Sequence, residues 1–118
     1  MAITEQAIQL LARVTTEVEA RFVDFTDLAH GFEHVYRVYH LALSLSEQEQ
    51  ADGLIVGMAA LLHDVGRTIR GPTHSHAERS AKLAEQLLVS YDLPPQTQQA
   101  ILHAILAFVE RVCLYITG

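Results

Sequence analysis

With one cysteine, Cys113, among 118 residues, the chain can form no internal disulfide. That fits a reducing compartment. It also lacks an apolar run approaching the length of a membrane span. Its N-terminal stretch MAITEQAIQLL has neither a basic start nor a long apolar centre, so it does not read as a signal peptide. These absences lead to the expectation of a cytoplasmic protein. Basic residues are few: eight Lys and Arg against fourteen Asp and Glu give a net charge of -6 with His neutral. Such a surface repels nucleic-acid backbones and anionic membranes, so neither is an expected partner. Arg67, Arg70, Arg79 and Lys82 cluster in sequence, but four charges over sixteen residues suit one phosphate group better than a duplex.

Apolar residues, by contrast, are plentiful. Half of the chain is hydrophobic and 19% is charged, which places it among globular proteins rather than disordered ones. The length suits a single domain over residues 1–118 with a real core. The apolar period is helical nearly throughout. Ile8, Leu11, Ala12, Val18 and Phe22 make one stripe, with Thr4 as its N-cap. A second helix is expected from Gly31 to Ser46, with Val35, Val38, Leu41, Ala42 and Leu45 inward. A third, apolar all round and therefore central, runs from Gln50 to Asp64. Gly66, Gly71 and Pro72 break the chain. A fourth helix, capped by Thr73 or Ser75, reaches Ser90. Asp92-Leu93-Pro94-Pro95 is a sharp stop before a fifth. There is no repeat, low-complexity segment or strand-like alternation. The expected architecture is an all-α bundle of five helices.

The stretch LLHDVG, residues 61–66, raises the functional question. An apolar helix ends in two adjacent groups that bind protons and metals. A histidine at a helix C-terminus is favourable to the helix dipole, but an aspartate there is not. Adjacent helical side chains point about 100° apart, but His63 and Asp64 can still reach one ion if the helix loosens at Val65-Gly66 and the ion sits near its end. A histidine from a neighbouring helix then completes a nitrogen and oxygen site. Such a site suits Mn, Fe, Co, Ni, Zn or Mg rather than a thiolate-seeking ion. His34, with Arg37 and Leu41 on its face, is the candidate.

GFEHVYRV around His34, AALLHDVG around His63-Asp64, and the following HSHAERSAKLAEQLL resemble the HD-domain metal-dependent phosphohydrolase family, in particular its small bacterial members. The resemblance covers Asp24 to Ala107. It implies an all-α fold and a divalent metal held by His34, His63 and Asp64. It implies hydrolysis of a small phosphomonoester or nucleotide by a metal-activated water, with Asp64 also orienting the nucleophile. Arg37 and Arg67 are candidates to neutralise the phosphate, and His76 is a candidate to line the cleft. The family's fourth ligand, a later aspartate, has no counterpart: no aspartate follows Asp92, and Glu110 is the only later carboxylate side chain. The I-x-x-H pattern of similar proteins is also missing, since Phe108 follows Ile105-Leu106-Ala107. The expectation is a truncated or foreign tail over residues 108–118, whose apolar residues could mediate self-association.

Other readings compete at single residues. His30 is either a second partner behind the site or a polar helix start. His74 is a weaker candidate than His76 for the cleft, His40 is expected at the surface, and His103 is open between core and cleft. Arg79 and Lys82 read as a solvated face, Tyr36 and Tyr39 as packing, and Cys113 as a small hydrophobe or tail. His30-Gly31-Phe32-Glu33-His34 also fits the H-x-x-E-H zinc-peptidase pattern with Glu33 as base. Gly31 weakens the helix that motif needs, and the chain is small for such an enzyme. Two alternatives to a hydrolase stand: a non-catalytic metal- or nucleotide-binding domain of the same fold lacking the last Asp, and a helical interaction domain.

Overall fold

The computed structural model describes residues 3–26, 31–68 and 76–117, with the backbone alone at 76–77 and 108–117. Five helices follow one another: α1 (Glu5–Arg21), α2 (Phe32–Gln48), α3 (Gly53–Leu62), α4 (His76–Leu88) and α5 (Pro95–Thr117). Two single-turn 3-10 helices, Val65–Thr68 and Val89–Tyr91, follow α3 and α4. No strand occurs among the described residues. The all-α expectation holds. Among the described residues no helix is long and apolar enough to cross a membrane.

Each boundary has a local cause. Thr4 caps α1, its Oγ1 accepting from the Ala7 N–H at 3.1 Å. α2 closes in a Schellman turn: the Ala51 N–H reaches the Ser46 carbonyl at 2.8 Å and the Gln50 N–H the Glu47 carbonyl at 3.3 Å. Gln50 takes the left-handed conformation usually given to glycine there, with φ 55°. Because Gln50 completes α2, α3 starts at Gly53 rather than at the expected Gln50. Asp52 caps α3, accepting from the Leu54 and Ile55 N–H groups at 3.0 and 3.3 Å. Left-handed Asp92, at φ 54°, turns the chain before Pro94-Pro95 and α5. Thr73 and Ser75, the expected caps of α4, lie outside the described residues.

α3 is the hub, packed on α1, α2 and α5, with Met58 to Leu62 fully buried. Gly57 lets α1 approach α3: a Cβ there would sit 2.9 Å from Leu11 Cδ2 and 3.3 Å from Leu43 Cδ2. The inward faces of α1 and α2 differ from expectation. On α1 the buried stripe is Ala7, Leu11, Val14, Val18 and Phe22, while Ile8 and Ala12 face out. On α2 it is His34, Val35, Val38, Tyr39, Ala42 and Ser46, while Leu41 and Leu45 are exposed. With His34 buried, α2 turns inward the face that carries Val35, Val38, Tyr39 and Ala42 and leaves Leu41 and Leu45 outside.

Candidate metal centre

α2 and the end of α3 bring together three side chains of types that can ligate a metal. Gly31 caps α2, so His34 lies in its first turn, where its own N–H donates to the Gly31 carbonyl at 3.1 Å. That placement sends the imidazole toward the end of α3. α3 stops at Leu62, and His63 and Asp64 turn the chain into the 3-10 helix Val65–Thr68. The tighter winding is the departure from α geometry that lets two adjacent residues reach one point. His63 is fully buried and Asp64 is 1% exposed. His34 Nε2 lies 3.8 Å and His63 Nε2 3.4 Å from Asp64 Oδ2. The two rings stand 6.1 Å apart, tilted by 59°.

Two of the three candidate ligands, His63 and Asp64, are oriented from behind. His63 Nδ1 lies 2.5 Å from the Ala60 carbonyl, one of the acceptors left over in the last turn of α3. A carbonyl can only accept, so Nδ1 carries the proton and Nε2 offers its lone pair to the cluster. Asp64 Oδ1 accepts from Arg67 Nε at 3.1 Å, which leaves Oδ2 turned toward the histidines. Burial alone would raise the Asp64 carboxyl. His63 and Arg67 outweigh it and hold the group well below the usual carboxylate range.

This donor set fits a divalent ion. The ligand atoms of His34, His63 and Asp64 all lie within 4.8 Å of one another, the only such group of His, Cys, Asp or Glu among the described residues. Donors about 2.1 Å from a shared ion stand roughly 3.4 Å apart in tetrahedral geometry, close to the separations observed. Two nitrogens and one carboxylate oxygen, already deprotonated, are the ligand type of the harder first-row metals. Three protein ligands leave positions open for water and substrate.

α4 fastens the turn that carries the pair. The Gly66 N–H donates to Ser80 Oγ at 2.7 Å, and the Gly66 carbonyl accepts from Arg79 Nε at 3.2 Å. Ser80 is fully buried. Arg79 is therefore not the solvated residue expected from sequence, whereas Lys82 is exposed. The role of Ser80 was not foreseen. Its signal was a polar residue in register with the buried Leu83, Ala84 and Leu88.

Of the expected phosphate ligands, Arg67 lies at the centre, in contact with Asp64. Arg37 sits one turn beyond His34 on the exposed side of α2. The side chain of His76, and those of Glu110 and Cys113, lie outside the described residues, as do His30 and His74. His40 is exposed against the Tyr36 ring, at 4.3 Å, and His103 is exposed on α5. Tyr39 packs in the core, where burial and then Tyr36 raise its hydroxyl pKa. Glu33 is exposed while His34 is buried, so the base of the zinc-peptidase pattern faces away from the cluster.

The family model described as HD domain matches residues 31–112, more than half of the chain. The match begins within the Asp24 to Ala107 span of the resemblance and runs past it by five residues. No curated protein and no solved structure matches the chain.

Proposed function

Because the chain belongs to the HD-domain family, whose members make up a superfamily of metal-dependent phosphohydrolases, we propose that it hydrolyses a small phosphomonoester or nucleotide, with the metal held by His34, His63 and Asp64. The observation that carries this reading is the convergence of those three buried side chains on one point. A divalent ion there supplies two effects: it lowers the pKa of a bound water toward neutrality and polarises a phosphoryl oxygen.

The chain's own residues do the rest. Ala60, through its carbonyl, fixes the His63 tautomer, and Arg67 fixes the Asp64 carboxylate. Asp64, with Oδ2 turned toward the two histidines and no proton of its own at neutral pH, would help to hold the ion and orient a water for attack on phosphorus. Arg67, a quarter exposed, stands at the edge of the centre where phosphate oxygens would arrive. Its planar donors suit those oxygens. Arg37 on the exposed side of α2 is the second candidate, and His76, at the start of α4, a third.

The test is metal-dependent phosphate release from p-nitrophenyl phosphate and nucleoside monophosphates. Turnover in the wild type with Mn, abolished in Asp64→Ala, supports the reading; equal turnover in Asp64→Ala would sink it. One observation favours a second reading, a binding domain of the same fold without turnover: residues 93–118 hold no aspartate to serve as the family's later ligand. Ligand binding by calorimetry with no phosphate released over hours is the outcome that selects it.

A further inference from the structure

A cleft of about 300 Å³ opens beside the candidate metal centre, and of its lining residues only Arg67 has a part in the mechanism above. It is lined by Arg21 at the end of α1, by Asp24, Phe25 and Thr26 of the connector that follows, and by Arg67 and Thr68 of the 3-10 turn. Arg67 is shared between the two: it lines the cleft, and its Nε lies 3.1 Å from Asp64 Oδ1. A molecule in the cleft therefore sits one side chain away from the centre. The walls are held from behind. Phe25 packs edge-on against core residue Phe22, with ring centroids 5.3 Å apart, and Thr68 Oγ1 donates to the Val65 carbonyl at 2.7 Å.

The lining specifies a chemistry. Arg21 only donates hydrogen bonds, the Asp24 carboxylate only accepts them, and the Thr26 hydroxyl does both. That combination complements hydroxyl groups, which themselves donate and accept. Phe25 offers an apolar surface of the kind that packs on the carbon face of a ring. The volume lies at the small end of ligand sites, which suits one sugar unit rather than a dinucleotide.

We propose that this cleft binds the sugar of a sugar phosphomonoester, with Arg21 and Asp24 as specificity-determining residues and Arg67 at the boundary with the phosphoryl group. The proposal rests on the phosphohydrolase reading for the identity of that group. It adds the part of the substrate that the reading leaves open.

The experiment uses two probes, ribose 5-phosphate, which carries hydroxyls, and p-nitrophenyl phosphate, which carries none. Binding of ribose 5-phosphate to the Mn-loaded protein is measured by calorimetry, and KM is measured for both. Arg21 and Asp24 are exposed, so Arg21→Ala and Asp24→Ala leave the core intact. Each variant should weaken ribose 5-phosphate by about tenfold, the loss of one hydrogen bond to a charged group. The KM for p-nitrophenyl phosphate should stay unchanged. Equal effects on both probes, or none on ribose 5-phosphate, would overturn the assignment. The two readings fail separately. Ribose 5-phosphate bound in the cleft without phosphate release from either probe removes hydrolysis and keeps the cleft. Turnover of p-nitrophenyl phosphate with ribose 5-phosphate indifferent to both substitutions removes the cleft and keeps hydrolysis.

Discussion

His63 Nε2 faces Asp64 Oδ2 at 3.4 Å within a turn where neither residue is more than 1% exposed. The two are neighbours in sequence, yet each is held from its far edge by a different partner, the Ala60 carbonyl and the Arg67 guanidinium. A divalent cation shared with His34 would be attracted by both of these donor atoms.

Arg67 should therefore matter to metal affinity without being a ligand. Arg67→Met keeps the aliphatic stem but removes the donor to Asp64 Oδ1. Loss of such a supporting bond typically weakens a metal site by about 10–100-fold. Calorimetric titration of Mn into the metal-free variant should show a loss of that order. Unchanged affinity would mean that Asp64 is oriented without Arg67.

The depressed Asp64 pKa carries a stability signature in the metal-free protein. Its ionised form is favoured by the fold, so the contribution is present above the unfolded carboxylate value of about 3.9. It is lost as pH falls through that value toward the lower folded one. Urea unfolding in chelator should give a stability that declines more steeply below about pH 5 for the wild type than for Asp64→Asn. Parallel declines would show that another group governs acid sensitivity.

Ser80→Ala should destabilise the protein from a position that touches no ligand. It leaves the buried Gly66 N–H without its acceptor, a loss of about 1–3 kcal/mol. The midpoint of chemical unfolding should fall, and Mn should bind more weakly because the turn carrying His63 and Asp64 is less firmly fixed. Retained stability would assign the Gly66 bond no weight.

Gln50→Gly should act in the opposite direction. Gln50 occupies a left-handed position that costs a side-chain-bearing residue energy and glycine almost none. A gain of about 0.5–1 kcal/mol is expected after glycine's greater unfolded-state entropy is counted. Thermal unfolding checks it, and a lowered melting temperature would contradict the Schellman-turn account.

Much of this protein was legible before its structure was. The helical period, the Thr4 cap and the Pro94-Pro95 break each reflect local chemistry, and local chemistry is what periodicity and caps report. The His63-Asp64 pair stood out because an aspartate at a helix C-terminus opposes the dipole and calls for another explanation. What periodicity misjudged was rotation. It set Ile8, Leu41 and Leu45 inward because they are apolar, whereas the position of His34 on α2, and Ala7 with Val14 on α1, decide which faces meet α3. Ser80 and Arg79 were missed for a related reason. Their partner is the backbone of Gly66, fourteen and thirteen residues earlier, and no side-chain pattern records a bond to a distant main chain. The cleft beside Arg67 joins residues from three segments, which only the fold brings together.

The central claim is that His34, His63 and Asp64 hold one divalent ion, and metal content tests it most directly. Elemental mass spectrometry should be applied to the wild type, His34→Ala and Asp64→Asn after incubation with Mn and desalting, each first checked for a native helical spectrum. About one ion per wild-type chain, as a single mononuclear site requires, with little or none in either variant, is the predicted result. No ion in the wild type, or equal content in all three proteins, would contradict the account.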